Sequence, residues 1–245
     1  QGHGRVGGQV GHAEDLRVGC GGGHGRRLPD GRRGTEPKAS FASACRLRAR
    51  GGILRRVVKY LGSKRLLVPA ILRAVGDVSA PGGTVLDLFS GTSRVGHALK
   101  RAGYRVIASD HNGYAATLAR CYVQADREDV LDDAERLVAE LNRTASRVVV
   151  GVGAGGEEVV EGGGWFARAY AGEARFFRAG NAGRIEAVRE AIAAKGLEAE
   201  LEAVLLTSLL EAADRVDSTT GVQMAYLKSW SWRSGRRLEL RVPGV

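Results

Sequence analysis

Residues 81–110 read PGGTVLDLFSGTSRVGHALKRAGYRVIASD, and this stretch decides the fold. It contains a short apolar run, a glycine turn, a helical pattern through Val95 and Leu99, and a second apolar run that ends in Asp110. A strand, loop, helix and strand in this order predict an α/β fold with a parallel sheet and right-handed crossovers. We therefore expect a ligand pocket at the carboxyl ends of the strands.

The turn between the two apolar runs reads Asp87-Leu-Phe-Ser-Gly-Thr-Ser-Arg-Val-Gly96. Asp87 and Phe89 end the first strand, and a glycine at Gly91 lets the backbone approach a ligand where a side chain would collide with it. Asp110 follows Gly91 by 19 residues, close to the spacing at which an acid accepts hydrogen bonds from a ribose diol. This pattern predicts a pocket for a cofactor that contains adenosine.

Three interpretations of the turn stay open on these residues alone. Nicotinamide and flavin dinucleotides also place adenosine over such a turn, usually with the pattern Gly-x-Gly-x-x-Gly. The order Phe89-Ser-Gly91 lacks the first of these glycines, which favours S-adenosylmethionine. In the third interpretation the segment is a tight turn without a ligand, and Asp110 is a solvated strand end.

A second motif lies upstream and reads Lys59-Tyr-Leu-Gly-Ser-Lys64-Arg-Leu-Leu-Val-Pro69. Together with the DLFSGT turn, it resembles the paired cofactor motifs of the D12 (Dam-like) class of DNA adenine-N6 methyltransferases. The resemblance implies a Rossmann-like, S-adenosylmethionine-dependent methyltransferase sheet, with the upstream segment folded back over the cofactor. It nominates as cofactor-binding residues, together with Asp87 from the turn itself, Tyr60, Lys64, Phe89, Gly91 and Asp110.

The resemblance extends through residues 165–192 and 200–230, and covers residues 57–232 in all. This part is similar to the mainly helical insertion with which the D12 class recognises double-stranded DNA. Arginine, lysine and asparagine side chains pair with phosphates or base edges. The candidate DNA contacts are Arg175, Arg178, Asn181, Arg184, Lys228 and Arg233.

The D12 class activates adenine with an Asp/Asn-Pro-Pro-aromatic tetrapeptide, which this sequence does not contain. Its five prolines are Pro29, Pro37, Pro69, Pro81 and Pro243, and no two are adjacent. In the family order the tetrapeptide follows the recognition region, so we expect a chain truncated before its catalytic motif and inactive alone. We also expect an incomplete sheet with an unpaired edge strand that is prone to association.

The chain divides into three predicted parts. Residues 1–58 hold 12 of the 37 Lys and Arg but 4 of the 27 Asp and Glu, so residues 1–56 are interpreted as a disordered or spurious basic tail rich in Gly and Arg. Residues 57–145 form the cofactor-binding α/β part, with helices over 114–124 and 130–141. Residues 146–245 form the recognition part, with helices over 184–194 and 197–213, a final strand LELRV, and a glycine-rich loop or ribbon over 145–164, of which we prefer the loop.

The rest of the composition excludes several classes of protein. Cys20, Cys45 and Cys121 fit no C-x-x-C pattern, and His97 and His111 lack partners at zinc-site spacings, so no disulfide framework and no metal site are expected. Since no apolar run approaches the ~20 residues that span a bilayer, we expect a cytoplasmic protein without a membrane partner.

The sequence therefore predicts a site-specific DNA adenine-N6 methyltransferase part, with a restriction endonuclease as a candidate partner system. A non-catalytic protein that binds DNA and cofactor is the first alternative. A dinucleotide-binding oxidoreductase is the second.

Overall fold

The computed structural model describes residues 64–220 and 227–245. A 3-10 turn, Lys64–Leu66, precedes the helices and strands, which in chain order are α1 (Val68–Val78), β1 (Thr84–Leu88), α2 (Arg94–Arg101), β2 (Arg105–Ser109), α3 (Gly113–Ala119), α4 (Arg127–Ser146), β3 (Val150–Val152), β4 (Glu158–Val160), α5 (Trp165–Ala167), α6 (Ala179–Ala193) and α7 (Ala199–Val216). Helices α3 and α5 continue as π-helical turns, Arg120–Gln124 and Arg168–Glu173, and a 3-10 turn covers Trp232–Gly235.

Strands β1 and β2 pair in parallel, with Thr84 opposite Arg105 and Leu88 opposite Ser109. Helix α2 connects them and packs on one face of the pair, where Gly96 lies beside Val106. This arrangement confirms the strand, loop, helix and strand that the sequence predicts, and within the described residues this sheet has two strands. The chain is therefore α/β with a small parallel sheet.

The opposite face of the pair is open to solvent. Leu86, Leu88 and Ile107 lie there with 54%, 59% and 42% of their surface exposed. Parallel sheets are usually covered on both faces. Helix α2 covers one face of the strand pair, and the other face presents a contiguous apolar surface.

A hairpin occupies the stretch for which a loop was preferred, so that preference was wrong. Strands β3 and β4 pair antiparallel, with Val150 opposite Val160. The hairpin packs on two glycines of α6, because a Cβ at Gly183 would lie 2.7 Å from Val160 Cγ1 and one at Gly180 would lie 3.2 Å from Val150 Cγ2. These contacts join distant parts of the chain, so the alternation of valine and glycine could not reveal them.

The main core lies between α4, α6 and α7. Leu141, Ile192 and Leu205 are at most 1% exposed in it. A second buried cluster joins α3 and its π turn to α7, through Leu118, Tyr122 and Val204 among others. Helix α4, most of which precedes the predicted boundary at residue 145, packs against α6 and α7, which follow it. The boundary therefore stays a prediction.

Residues 237–242 complete the main core and are here called the strap. The predicted strand LELRV belongs to no β-ladder in the described part of the chain, so the strand prediction was wrong. Side-chain amides take the place of a neighbouring strand: Leu238 N donates to Asn181 Oδ1 at 3.0 Å and Leu240 N donates to Asn142 Oδ1 at 2.9 Å. Leu238 and Leu240 are thereby buried to 3% and 2% exposure.

Over residues 64–220 and 227–245, no helix combines the length and apolarity needed to cross a bilayer. The same residues bring no three His, Cys, Asp or Glu side chains together as metal ligands.

Candidate functional site

A cleft of about 430 Å³ opens at the carboxyl ends of β1 and β2. Its position agrees with the rule that ligands of open α/β sheets bind outside those strand ends. Residues from the β1–α2 loop, the end of β2 and the start of α3 form most of its wall. The lining residues are Lys64, Phe89, Ser90, Gly91, Thr92, Arg94, Val95, Asp110, His111, Asn112, Tyr114 and Ala115.

The β1–α2 loop, residues 89–93, turns sharply through three residues with positive φ. Phe89 has φ 56°, Gly91 φ 53° and Ser93 φ 53°. Glycine adopts this conformation freely, whereas Phe89 and Ser93 each hold it at a cost of about 1 kcal/mol. Such local strain persists only where neighbouring structure enforces it, and it concentrates at functional sites.

Asp110 fixes the loop from the end of β2. Its Oδ2 accepts a hydrogen bond from Gly91 N at 2.9 Å, and its Oδ1 accepts one from Asn112 N at 3.0 Å. The N–H groups of Asn112 and Gly91 hold the pKa of this carboxyl below its ordinary value. The side chain, 10% exposed, is therefore ionised at neutral pH, and each oxygen retains a lone pair for a further donor.

Gly91 leaves room beside this carboxylate. A Cβ placed there would meet only the carbonyl oxygen of Phe89, at 3.8 Å. The sequence predicted both Gly91 and Asp110 as site residues, and the structure brings them into direct contact. Their role toward a cofactor stays a prediction.

Lys64 and Phe89, also predicted from the sequence, both line the cleft. The Phe89 ring is 72% exposed at the end of β1. Tyr60, predicted beside them, lies outside the described residues.

Asp87, the remaining predicted cofactor residue, does not line the cleft. Its Oδ2 accepts a hydrogen bond from Gly96 N at 3.1 Å, in the first turn of α2. Burial raises the pKa of this carboxyl, against the opposing effects of the Gly96 N–H and of Lys64. In the structure Asp87 therefore secures α2 to β1.

Arg94 is a cleft residue that the sequence reasoning missed. It is the first residue of α2, is 8% exposed, and lines the cleft beside Thr92. Burial lowers the pKa of its guanidinium, and the charge of Arg65 adds to this effect. Its place within the DLFSGTSRVG motif, at a helix start without acidic residues, was the signal that could have found it.

The six predicted DNA-contacting residues fall into two groups. Asn181 is 2% exposed, and its amide donates to Arg236 O at 2.7 Å and accepts from Leu238 N. Arg233 pairs with Asp217 and donates to Thr219 O at 2.7 Å. Both side chains are thus occupied by contacts within the protein.

The other four reach the surface to different extents. Arg184 is half-buried and donates to Asn181 Oδ1 at 3.2 Å, whereas Lys228 is exposed. The guanidinium groups of Arg175 and Arg178 lie over the ring of Trp230, at 5.2 Å and 5.1 Å from its centre. The structure therefore places two of the predicted cations over one tryptophan.

Comparison with known proteins gives one family and one curated relative. The family model described as D12 class N6 adenine-specific DNA methyltransferase matches residues 60–243. The modification methylase StsI of Streptococcus sanguinis is 29% identical over 192 residues, which are 75% of this chain and 28% of that protein. The match thus spans little more than a quarter of the relative's length, and no solved structure matches the chain.

Proposed function

Because the chain belongs to the D12 class of N6 adenine-specific DNA methyltransferases, we propose that it binds S-adenosylmethionine in the cleft and serves the methylation of adenine N6 in double-stranded DNA. The observation that carries the proposal is the hydrogen bond between Gly91 N and Asp110 Oδ2. It places an ionised acid beside an open glycine at the ends of two parallel strands, as an adenosine site requires.

The chemistry of the cleft fits this cofactor. A volume of about 430 Å³ lies within the range of ~300–1,000 Å³ usual for small-molecule sites. Asp110 has acceptor capacity for the ribose hydroxyls, and the Phe89 ring offers an apolar surface to the adenine. Lys64 and Arg94 provide positive charge for the methionine carboxylate. The bound cofactor would supply an activated methyl group.

The family supports a larger Rossmann-like sheet of which β1 and β2 are two strands. We infer that residues 57–145 form the cofactor part and residues 146–245 the DNA-recognition part. The relative's name contains "modification methylase", which makes a restriction endonuclease the candidate partner system.

Methyl transfer itself needs groups that these residues lack. The amine of adenine has a delocalised lone pair and must be brought out of the helix and held against the methyl group. In the D12 class this is the task of the Asp/Asn-Pro-Pro-aromatic tetrapeptide, and the sequence contains no adjacent prolines. We propose that the 245 residues bind and orient cofactor and DNA, and that they do not methylate without a tetrapeptide from elsewhere.

Calorimetry on the full chain tests the cofactor assignment. We expect saturable binding of S-adenosylmethionine, no comparable binding of NAD, and a loss of at least tenfold in affinity for Asp110→Ala, since two acceptors are removed. Asp133→Ala, which changes an exposed acid of α4, is the matched control and should bind as the parent chain does. Binding of NAD in place of S-adenosylmethionine would overturn the proposal and favour an oxidoreductase.

A further inference from the structure

Two tryptophans carry stacked arginines in one part of the structure. Trp230 lies under the guanidinium groups of Arg175 and Arg178, and Trp232 lies 4.3 Å from the guanidinium of Arg236. We call these five residues the Arg–Trp surface. A guanidinium held against an aromatic ring keeps its donors in a fixed plane and retains its charge.

The two tryptophans differ in how far they are exposed to solvent. Trp230 is half-buried, so its ring serves mainly as a support on which two guanidinium groups rest. Trp232 is 77% exposed, although tryptophan is the side chain with the most apolar surface to hide. An exposed indole backed by an arginine presents one free aromatic face.

The backbone of residues 231–236 is fixed by buried and partly buried hydrogen bonds. Ser231 Oγ donates to Asp217 O at 2.8 Å, and the Asn181 amide donates to Ser234 O at 3.2 Å and Arg236 O at 2.7 Å. These contacts fasten residues 231–236 to the end of α7 and to α6. The aromatic and cationic groups are thereby pre-organised, which lowers the entropy cost of binding.

Most of the charged side chains around the surface are basic. Arg237 and Lys228 are exposed nearby in the chain, and Arg184 lies close enough to Arg237 for their charges to interact. The acid Asp217 is paired with Arg233. A fixed group of guanidinium groups with an exposed aromatic ring fits a polyanion with stackable bases.

Resting on the DNA substrate of the proposed function, we propose that Arg175 and Arg178 contact phosphates of double-stranded DNA and that Trp232, backed by Arg236, stacks on a base of an opened step. Adenine methylation requires an opened step, because the target base leaves the helix. Arg175 and Arg178 then position the duplex, and Trp232 stabilises its local opening.

Salt dependence separates the phosphate contacts from the base contact. The measurement uses the full chain and a fluorescent 20-base-pair duplex. Each of Arg175→Gln and Arg178→Gln should make the negative slope of log affinity against log salt shallower by about 0.9. Arg189→Gln, an exposed arginine later on α6, is the matched control and should leave the slope unchanged.

The stacking assignment is tested with duplexes that do or do not contain one mismatched adenine. The intact chain should prefer the mismatched duplex, because its base opens at lower cost. Trp232→Ala should abolish this preference and weaken binding roughly tenfold without changing the salt slope. Trp165→Ala is the control, since Trp165 is 66% exposed and its ring neighbour is Tyr170.

The outcomes distinguish this inference from the proposed function. A chain that binds S-adenosylmethionine and duplex DNA, while Trp232→Ala keeps the mismatch preference, overturns the stacking inference alone. Unchanged salt slopes for both Arg175→Gln and Arg178→Gln overturn the phosphate contacts. A chain that binds no duplex even at low salt overturns the DNA substrate and this inference with it.

Discussion

The cleft region, residues 64–125, and the helical region, residues 127–220 and 227–245, cover their apolar side chains to different degrees. In the helical region Leu141 and Leu205 are fully buried between three helices. In the cleft region Leu86 and Leu88 are more than half exposed on the open face of the sheet. The described part of the helical region thus encloses a buried core, whereas the cleft region covers one face of its sheet.

This difference indicates that the helical region contributes stability to the cleft region. The strained residues Phe89 and Ser93 lie in the cleft region. That region is tied to the helical region by a shared cluster in which Tyr122 and Val204 are at most 2% exposed. The helical region therefore supports the β1–α2 loop, which the two-stranded sheet alone would hold less firmly.

Two leucine-to-alanine substitutions should differ most strongly in their effect on stability. Leu205→Ala should lower the free energy of unfolding by about 2–5 kcal/mol, because it opens a cavity in the main core. Leu86→Ala should lower it by less than about 1 kcal/mol, since the side chain is largely solvated. Urea unfolding followed by circular dichroism measures both. Equal losses would contradict this difference between the regions, because they would mean that the open face is covered in solution.

Acid titration should reveal the next largest effect, in the cleft region. His97 of α2 stacks on Tyr122 at 5.3 Å, and burial, helped by Arg101 and Lys100, lowers its pKa to about 4 from 6.5. Below pH 6.5 the unfolded chain binds a proton that the folded chain refuses, so stability falls as the pH drops from 6.5 to 4. The loss is roughly 3 kcal/mol in total.

Thermal melting between pH 4 and pH 7 measures this loss, and His97→Phe should remove most of it. His111→Phe is the matched control, since the His111 side chain is 90% exposed. A pH dependence that persists unchanged in His97→Phe would contradict the assignment.

A smaller effect sharpens the picture of the helical region. Asn181→Ala removes the amide that accepts from Leu238 N and donates to two carbonyls, and should cost about 2–3 kcal/mol. Asn142→Ala, which releases only Leu240, should cost about 1–2 kcal/mol. Hydrogen exchange should show faster exchange of the Leu238 and Leu240 amides respectively. Protection of both amides in both variants would show that other contacts hold the strap.

The smallest expected effect is that of Asp110→Asn on stability without ligand. Hydrogen bonds keep the folded pKa of Asp110 below its ordinary 3.8, so its stabilisation is present above that pH and is lost as the pH falls through the folded pKa. At pH 7 we expect a loss of about 1 kcal/mol. Melting temperatures of parent and variant should therefore converge as the pH falls below 3.8. Asp133→Asn is the control, and an equal shift there would contradict a specific role for Asp110.

The local elements of the cleft region were predictable because their signals are local. Pro69 marks the first turn of α1, as expected for a residue without an N–H donor. The strand ends at Phe89 and Asp110 follow from apolar runs that stop at polar or glycine residues. The β3–β4 hairpin depends on Gly180 and Gly183 in a distant helix, and no local pattern contains that information.

Within the candidate site, residue type was easier to predict than orientation. Asp110 and Asp87 are both acids near strand ends, yet Asp110 points to Gly91 and Asp87 points to Gly96. Alternation along a strand places Asp87 on the face covered by α2, which the sequence reasoning did not use. Asn181 likewise had the chemistry of a DNA contact, but its burial depends on residues 53 to 57 positions later.

The strap also has a consequence for the rate of folding. Its Leu240 contacts Asn142 across 98 positions of the chain. The entropy cost of closing this long loop arises before the contact contributes any stabilisation. Helices α4, α6 and α7 form from local contacts, so we expect them to collapse first and the strap to dock after the rate-limiting barrier. Substitutions of Asn142 should therefore accelerate unfolding and leave the refolding rate nearly unchanged, which gives the strap the kinetic role of a latch.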